Sequence, residues 1–228
     1  KNSSVIRLVT LSSVLVFIVG MVGGVVVLSE LSPSVRTLHL TLAQIVTALV
    51  ILSYIFSTYT INIPINKSSK WLWSKIDKEH KNILNFTVFA AIFTLVALLS
   101  GSYAVWKQAG TVCSSWPLCG GSIIPQSYLA WIHMIHRFIS ILSVFVVFFA
   151  CYKVLNTDKI SRHLRFAAIS GIVLIFAQII IGAANPLTTF DQWVRAGHLS
   201  LATLIWVNMV FMIGFFLKPT KGSEINIK

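Results

Sequence analysis

Six continuous apolar runs, each long enough to cross a bilayer as a helix, constrain what these 228 residues can fold into. They extend from Val5 to Leu28, Val35 to Tyr59, Ile83 to Val105, Tyr128 to Leu155, Leu164 to Ala184 and Gln192 to Leu217. About 20 helical residues at ~1.5 Å each cross ~30 Å of hydrocarbon, a length every run reaches. Only 11% of residues are charged and 56% are hydrophobic, which excludes an ordinary soluble domain. Spanning β-strands would read as short alternating segments, so a barrel is excluded as well. The expected fold is all-α, a polytopic membrane protein of six transmembrane helices.

The net charge of +12 does not mark a nucleic-acid binder, because the charge is segregated. Fourteen of eighteen Lys and Arg residues, among them Lys1, Arg7, Lys67, Lys78, Lys153, Arg165 and Lys228, fall at the termini or in the second and fourth loops. Six spans place those segments on one side, which the positive-inside rule makes the cytoplasm or the mitochondrial matrix. Contact with anionic lipid is the partner this charge implies; nucleic acid is not. Arg36, Lys107, Arg137 and Arg195 are left for the opposite side, three of them within a helical turn of a histidine: His39, His136 and His198.

His80 and His163 fall in the polar loops, where a solvated imidazole is ordinary. His39, His133, His136 and His198 instead lie near the outer ends of apolar runs, where an ionisable group is costly and points to function. A repeat reinforces this: Val35-Arg-Thr-Leu-His39-Leu-Thr-Leu-Ala43 returns as Val194-Arg-Ala-Gly-His198-Leu-Ser-Leu-Ala202. The first two helices then correspond to the last two, in half-bundles with pseudo-twofold symmetry. The third and fourth lack a counterpart, so a preceding helix pair is expected to lie outside this sequence. Gly20, Gly23 and Gly24, and Gly182 with Ala183 and Ala184, are expected to let helices pack closely. Gln44, Gln178 and Asn185 are expected to make interhelical hydrogen bonds.

His133 and His136, three apart on one helix, could grip a small metal ion. Histidines on two facing helices better suit a flat macrocycle with two axial ligands, and His136 and His198 are the expected pair. Arg137 and Arg195 would meet its carboxylates. Cys113 and Cys119, flanking Trp116-Pro117 in an outer loop, could close a small disulfide ring, as a staple or as a redox-active pair. Two thiols alone are too few for tetrahedral zinc. Cys151 is expected to pack as a small hydrophobe.

Cys113-Ser-Ser-Trp-Pro-Leu-Cys119-Gly-Gly, followed by His136-Arg137 and then Gly197-His198, resembles the heme A synthase family over nearly the whole chain. The resemblance implies eight helices in two similar halves, each with two histidines facing a heme site and one outer cysteine pair. On that pattern residues 1–62 are the last two helices of an N-terminal half and 63–82 a cytoplasmic linker. Residues 83–217 are a C-terminal four-helix half and 218–228 a flexible tail. His136 and His198 would hold heme b, and His39, with Arg36 beside it, would belong to the site of the substrate heme. The implied reaction oxidises the heme o methyl group to the formyl group of heme a, for cytochrome oxidase assembly. Heme O synthase and an electron donor are the implied partners. The implied location is the plasma membrane of a prokaryote, or the mitochondrial inner membrane, with the cysteine loop outside.

Two departures stand out. The helix carrying a Glu-x-x-His-Arg pattern, the family's catalytic element, is absent, so no catalytic residue can be assigned. His133 stands where that glutamate would be. Two other classes remain open: a di-heme electron carrier similar to cytochrome b561, and a non-catalytic heme-binding membrane subunit. The carrier needs histidines at both membrane faces. The segment around Trp71 and Trp73 is expected to anchor at the headgroup layer.

Overall fold

The computed structural model describes residues 3–59, 78–158 and 160–217. Trp71, Trp73, most of the 63–82 linker and the 218–228 tail lie outside the described residues. Six helices account for the six runs: α1 (Ser3–Leu28), α2 (Pro33–Tyr59), α3 (Lys78–Trp106), α4 (Tyr128–Leu155), α5 (Arg162–Leu187) and α6 (Gln192–Leu217). All six are long and apolar enough to span a membrane, and the chain is an all-α polytopic membrane protein.

Local chemistry sets the boundaries. Pro33 opens α2 at the one helical position where a missing N–H costs nothing. Ser127 and Ser161 cap α4 and α5 by accepting from the Ala130 and Leu164 amides. The Asp191 carboxylate accepts from the Trp193 and Val194 amides at the start of α6. The third helix begins at Lys78, ahead of its apolar run, with Glu79 favourably placed in its first turn. His80 and His163 therefore sit on the first turns of α3 and α5 and not in loops, each against a phenyl ring of α6: His163 on Phe215 and His80 on Phe216.

Helices α3, α4, α5 and α6 form a closed ring of neighbours, and α2 packs against α6 and α3, with α1 on α2. The core lies inside that ring and includes Leu84, Ala90, Val147, Val154, Ala168, Met209 and Met212; Ile55 of α2 joins it. Half of the α6 apolar window is buried, against 6% of that of α1, so α6 is the central helix and α1 the outermost. Within the apolar layer, Ser12, Thr41, Thr47, Ser53, Thr87 and Thr94 donate their hydroxyls to the carbonyl four residues back. Each thereby satisfies a polar group that would cost several kcal/mol bare in hydrocarbon.

The repeat seen in the sequence is reproduced bond by bond. Shifting by the interval from His39 to His198 turns the α1–α2 turn into the α5–α6 turn. Leu31 N–H bonds to Val26 O at 2.9 Å, as Phe190 N–H does to Asn185 O at 2.7 Å. Glu30 and Leu31 have φ of 52° and 65°, and Thr189 and Phe190 have 55° and 60°. Two consecutive left-handed non-glycine residues cost about 1–3 kcal/mol each, so their recurrence reflects a shared fold requirement. The end of α3 uses the same closure, Ala109 N–H to Ala104 O, with Gln108 at φ 56°.

The same shift relates the partners across the α2–α6 interface. Gln44 Nε2 donates to Thr203 Oγ1 at 3.2 Å, and Ile55 packs against Gly214; each pair joins equivalent positions. A pseudo-twofold axis between parallel helices α2 and α6 has that signature. Gln44 thus makes the expected interhelical bond. Asn185 does not: its amide turns back to Ile181 O in its own helix.

Candidate functional site

Three of the histidines singled out in the sequence lie at one end of the bundle. His39, His136 and His198 lie early in α2, α4 and α6, and each ring rests against a glycine late in the preceding helix. Those glycines are Gly23, Gly101 and Gly182, each five residues before the end of its helix. A methyl group there would stand 3.2, 2.9 and 3.1 Å from the Cε1 atoms of His39, His136 and His198. A side chain at these positions would crowd imidazoles that lie so close to the neighbouring backbone. Gly23 and Gly182 do permit close approach, as expected, but of a ring and not of a whole helix. Gly20 and Gly24 have nothing within 4 Å.

The ring nitrogens differ in their partners. Nδ1 of His39 and of His198 is buried without a hydrogen bond, whereas His136 Nδ1 lies 2.9 Å from Ser100 Oγ. His136 is also within electrostatic reach of His198 and Arg137. His133 occupies a different setting. It is buried, its Nδ1 donates to Ala109 O at 3.1 Å, and its ring meets Phe190 edge-on at 5.9 Å. It ties the turn after α3 to α4 and has no glycine seat. Among the described residues no group of three or more His, Cys, Asp or Glu side chains is placed to hold a metal ion.

Cys113 and Cys119 form a disulfide, closing the loop between α3 and α4. Inside it Ser115 Oγ donates to Leu118 O and accepts from Gly120 N–H, and Gly120 and Gly121 take φ of 63° and 78°. Arg137 reaches back to this loop: Nη1 donates to Pro117 O at 2.8 Å and Nη2 to Ser115 O at 2.9 Å. Two of its five donors are engaged among the described residues. Arg36 and Arg195 are exposed at the same end. Cys151 is fully buried in the core, as expected of a small hydrophobe.

Opening the disulfide should loosen the loop that holds Arg137. A bridge closing a ring this small stabilises by about 2–3 kcal/mol through loop entropy. Cys113→Ser with Cys119→Ser should therefore lower the unfolding midpoint in detergent by that free energy and remove the reductant sensitivity of the wild type.

Residues 1–210 match the family model for COX15-CtaA, cytochrome oxidase assembly protein. The chain belongs to this family. Relatives of the COX15-CtaA chain include a heme A synthase of Macrococcus caseolyticus, 27% identical over 130 residues, or 56% of this chain and 43% of that protein. A heme A synthase of Staphylococcus epidermidis is 20% identical over 204 residues, covering 90% of this chain and 65% of that protein. A protoheme IX farnesyltransferase of Chloroflexus aurantiacus is 27% identical over 148 residues, covering 63% of this chain and 24% of that protein. The chain thus spans from about a quarter to just under two thirds of the length of these three relatives.

The Ser100-Gly101 pair beside His136 was not legible in the sequence. A signal for the glycines was present: Gly23 precedes His39, and Gly182 precedes His198, by the same sixteen residues. The long cysteine loop between Gly101 and His136 hides the third instance.

Proposed function

We propose that this chain is a heme-binding membrane oxidoreductase of the heme A synthase type, converting the methyl group of heme o to the formyl group of heme a for cytochrome oxidase assembly. The observation that carries the reading is the set of three imidazoles, each seated on a glycine at one end of the bundle. Nδ1 atoms buried without a partner at His39 and His198, and a glycine opposite each of the three rings where a methyl group would crowd it, fit a planar metal macrocycle better than a packed core. Relatives named heme A synthase match up to 94% of the chain, which favours the same assignment.

His136 and His198 would hold heme b through their imidazoles, and His39 would belong to the site of the substrate heme. A heme held there supplies one-electron redox chemistry. The chain's own contribution is positional and electrostatic. The imidazoles of His136 and His198 would hold the group, and the guanidinium groups of Arg137, Arg195 and Arg36 would neutralise its carboxylates. Arg137 is pre-oriented by the Ser115 and Pro117 carbonyls, so it meets an anion with little further loss of side-chain freedom. Turning a methyl into a formyl group removes two hydrogens, adds one oxygen atom and releases four electrons when water is the oxygen source. The reaction therefore requires an electron acceptor.

The histidine end, with the disulfide loop, would face the outside of a prokaryotic plasma membrane, and the basic end the cytoplasm, where an association with heme O synthase would deliver substrate. The di-heme carrier reading is disfavoured because a second ligand pair would have to come from the basic end. There His80 and His163 lie against Phe216 and Phe215, and among the described residues neither is on a glycine seat. Pyridine hemochrome analysis of the chain purified from heme-supplied membranes tests the proposal. One heme b per chain, with heme o or heme a co-extracted, is the expected result; heme-free protein that is otherwise folded would overturn it.

A further inference from the structure

The three seats are alike in their glycines and unlike in the residue before each glycine. That residue is Val22 at the His39 seat and Ile181 at the His198 seat, neither of which offers a side-chain hydrogen-bond partner. At the His136 seat it is Ser100. The Ser100 hydroxyl has a single proton and lies 2.8 Å from Ala97 O, which can only accept, so the proton is donated there. Toward His136 Nδ1, 2.9 Å away, Ser100 Oγ can therefore offer only a lone pair. In that arrangement Nδ1 carries the ring proton, with Ala97 O as a further acceptor beside the ring, and a neutral imidazole then has its free lone pair on Nε2.

Gly101 completes the constraint. A methyl group on its Cα would be 2.9 Å from Cε1, 3.4 Å from Nε2 and 3.5 Å from Nδ1, so it would press on the face of the ring. The ring could not slide away without breaking the bond to Ser100. A hydrogen-bonded partner that fixes tautomer and ring plane also raises the basicity of the opposite nitrogen.

We propose that Ser100 and Gly101 are positioning residues for His136: the glycine admits the ring and the serine holds its Nδ1 proton, so that Nε2 is presented as the donor atom to heme iron. His198, whose seat lacks a hydroxyl, is the adaptable partner of an asymmetric pair. The inference rests on the assignment of His136 as a heme ligand and adds to it the residues that prepare the ligand.

Two measurements separate the cradle from the ligand assignment. The first is 15N NMR of the histidines in the heme-free chain, where His136 should appear in the wild type as the Nδ1–H tautomer. Ser100→Ala should shift it towards a mixture, and Ser100→Thr, which keeps the hydroxyl, should restore it. The second is heme titration followed optically: Ser100→Ala should weaken binding about 10–100-fold, the range for loss of a ligand-orienting partner. Gly101→Ala should lose the low-spin bis-histidine spectrum, and Ser100→Thr should bind like the wild type. Unchanged tautomer and unchanged affinity in Ser100→Ala would overturn the proposal. A shifted tautomer in Ser100→Ala with heme fully retained in His136→Ala would also overturn it, and would place the failure in the ligand assignment and not in the cradle.

Discussion

Replacing His136 or His198 with alanine is expected to abolish the low-spin heme spectrum of the purified chain, with heme affinity falling by more than about 100-fold. Loss of a ligand-orienting partner alone costs about 10–100-fold, and loss of the ligand itself should exceed that. The informative control is His133→Asn. His133 is a turn away from His136 on the same helix, but it donates to Ala109 O, and an asparagine amide can supply a similar N–H. That variant should keep the spectrum. If His133→Asn loses heme while His198→Ala retains it, the two ligands come from one helix, and the facing-helix arrangement is wrong. Circular dichroism and gel filtration in detergent would establish that each variant is folded.

The contrast between His133 and His136 shows which information a membrane sequence carries. In runs that are apolar around most of their circumference, periodicity does not reveal which face is inward, and both histidines look equally available. The distinction arises from long-range contacts: Gly101 and Ser100 lie more than thirty residues before His136, and Ala109 is separated from His133 by the disulfide loop. The family and the six spans were legible because they depend on length, composition and a motif. The pseudo-twofold axis was legible from Val35–Ala43 and Val194–Ala202, and the bond between Gln44 and Thr203 lies where that repeat requires.

The left-handed pairs Glu30-Leu31 and Thr189-Phe190 were not legible. Their side chains have no intrinsic preference for positive φ, and it is the helix-end closure that imposes it. Arg137 was expected to turn to a carboxylate because charge was its only visible property in the sequence. The loop carbonyls that hold it became apparent only once the disulfide ring was in place. Asn185 read as an interhelical partner, but Pro186 follows it in the last turn of α5, and its amide satisfies its own helix.

The largest expected effect on stability lies away from the histidines, at Gly171 of α5. A methyl group there would be 2.7 Å from Cys151 Sγ and 2.8 Å from Asn208 Nδ2, a wedge between α4 and α6. Neither neighbour can yield easily: Cys151 is fully buried, and the Asn208 amide donates to Ala167 O at 2.9 Å. Gly171→Ala should therefore combine overpacking with a displaced hydrogen bond and cost about 2–4 kcal/mol, read as a fall in the unfolding midpoint in mild detergent. Cys151→Ala removes one of the two clashing atoms, so the double variant should recover about 1 kcal/mol or more relative to the sum of the single changes. Strict additivity would mean that the two side chains are not in contact. The same change should also reach the proposed heme site. Gly171 and Gly182 lie on one rigid helix about 16 Å apart along its axis, so displacing α5 at the first moves the seat of His198 at the second. A weakened low-spin signal in Gly171→Ala, restored by Cys151→Ala, would show that core packing on α5 sets the position of His198, one of the two proposed ligands.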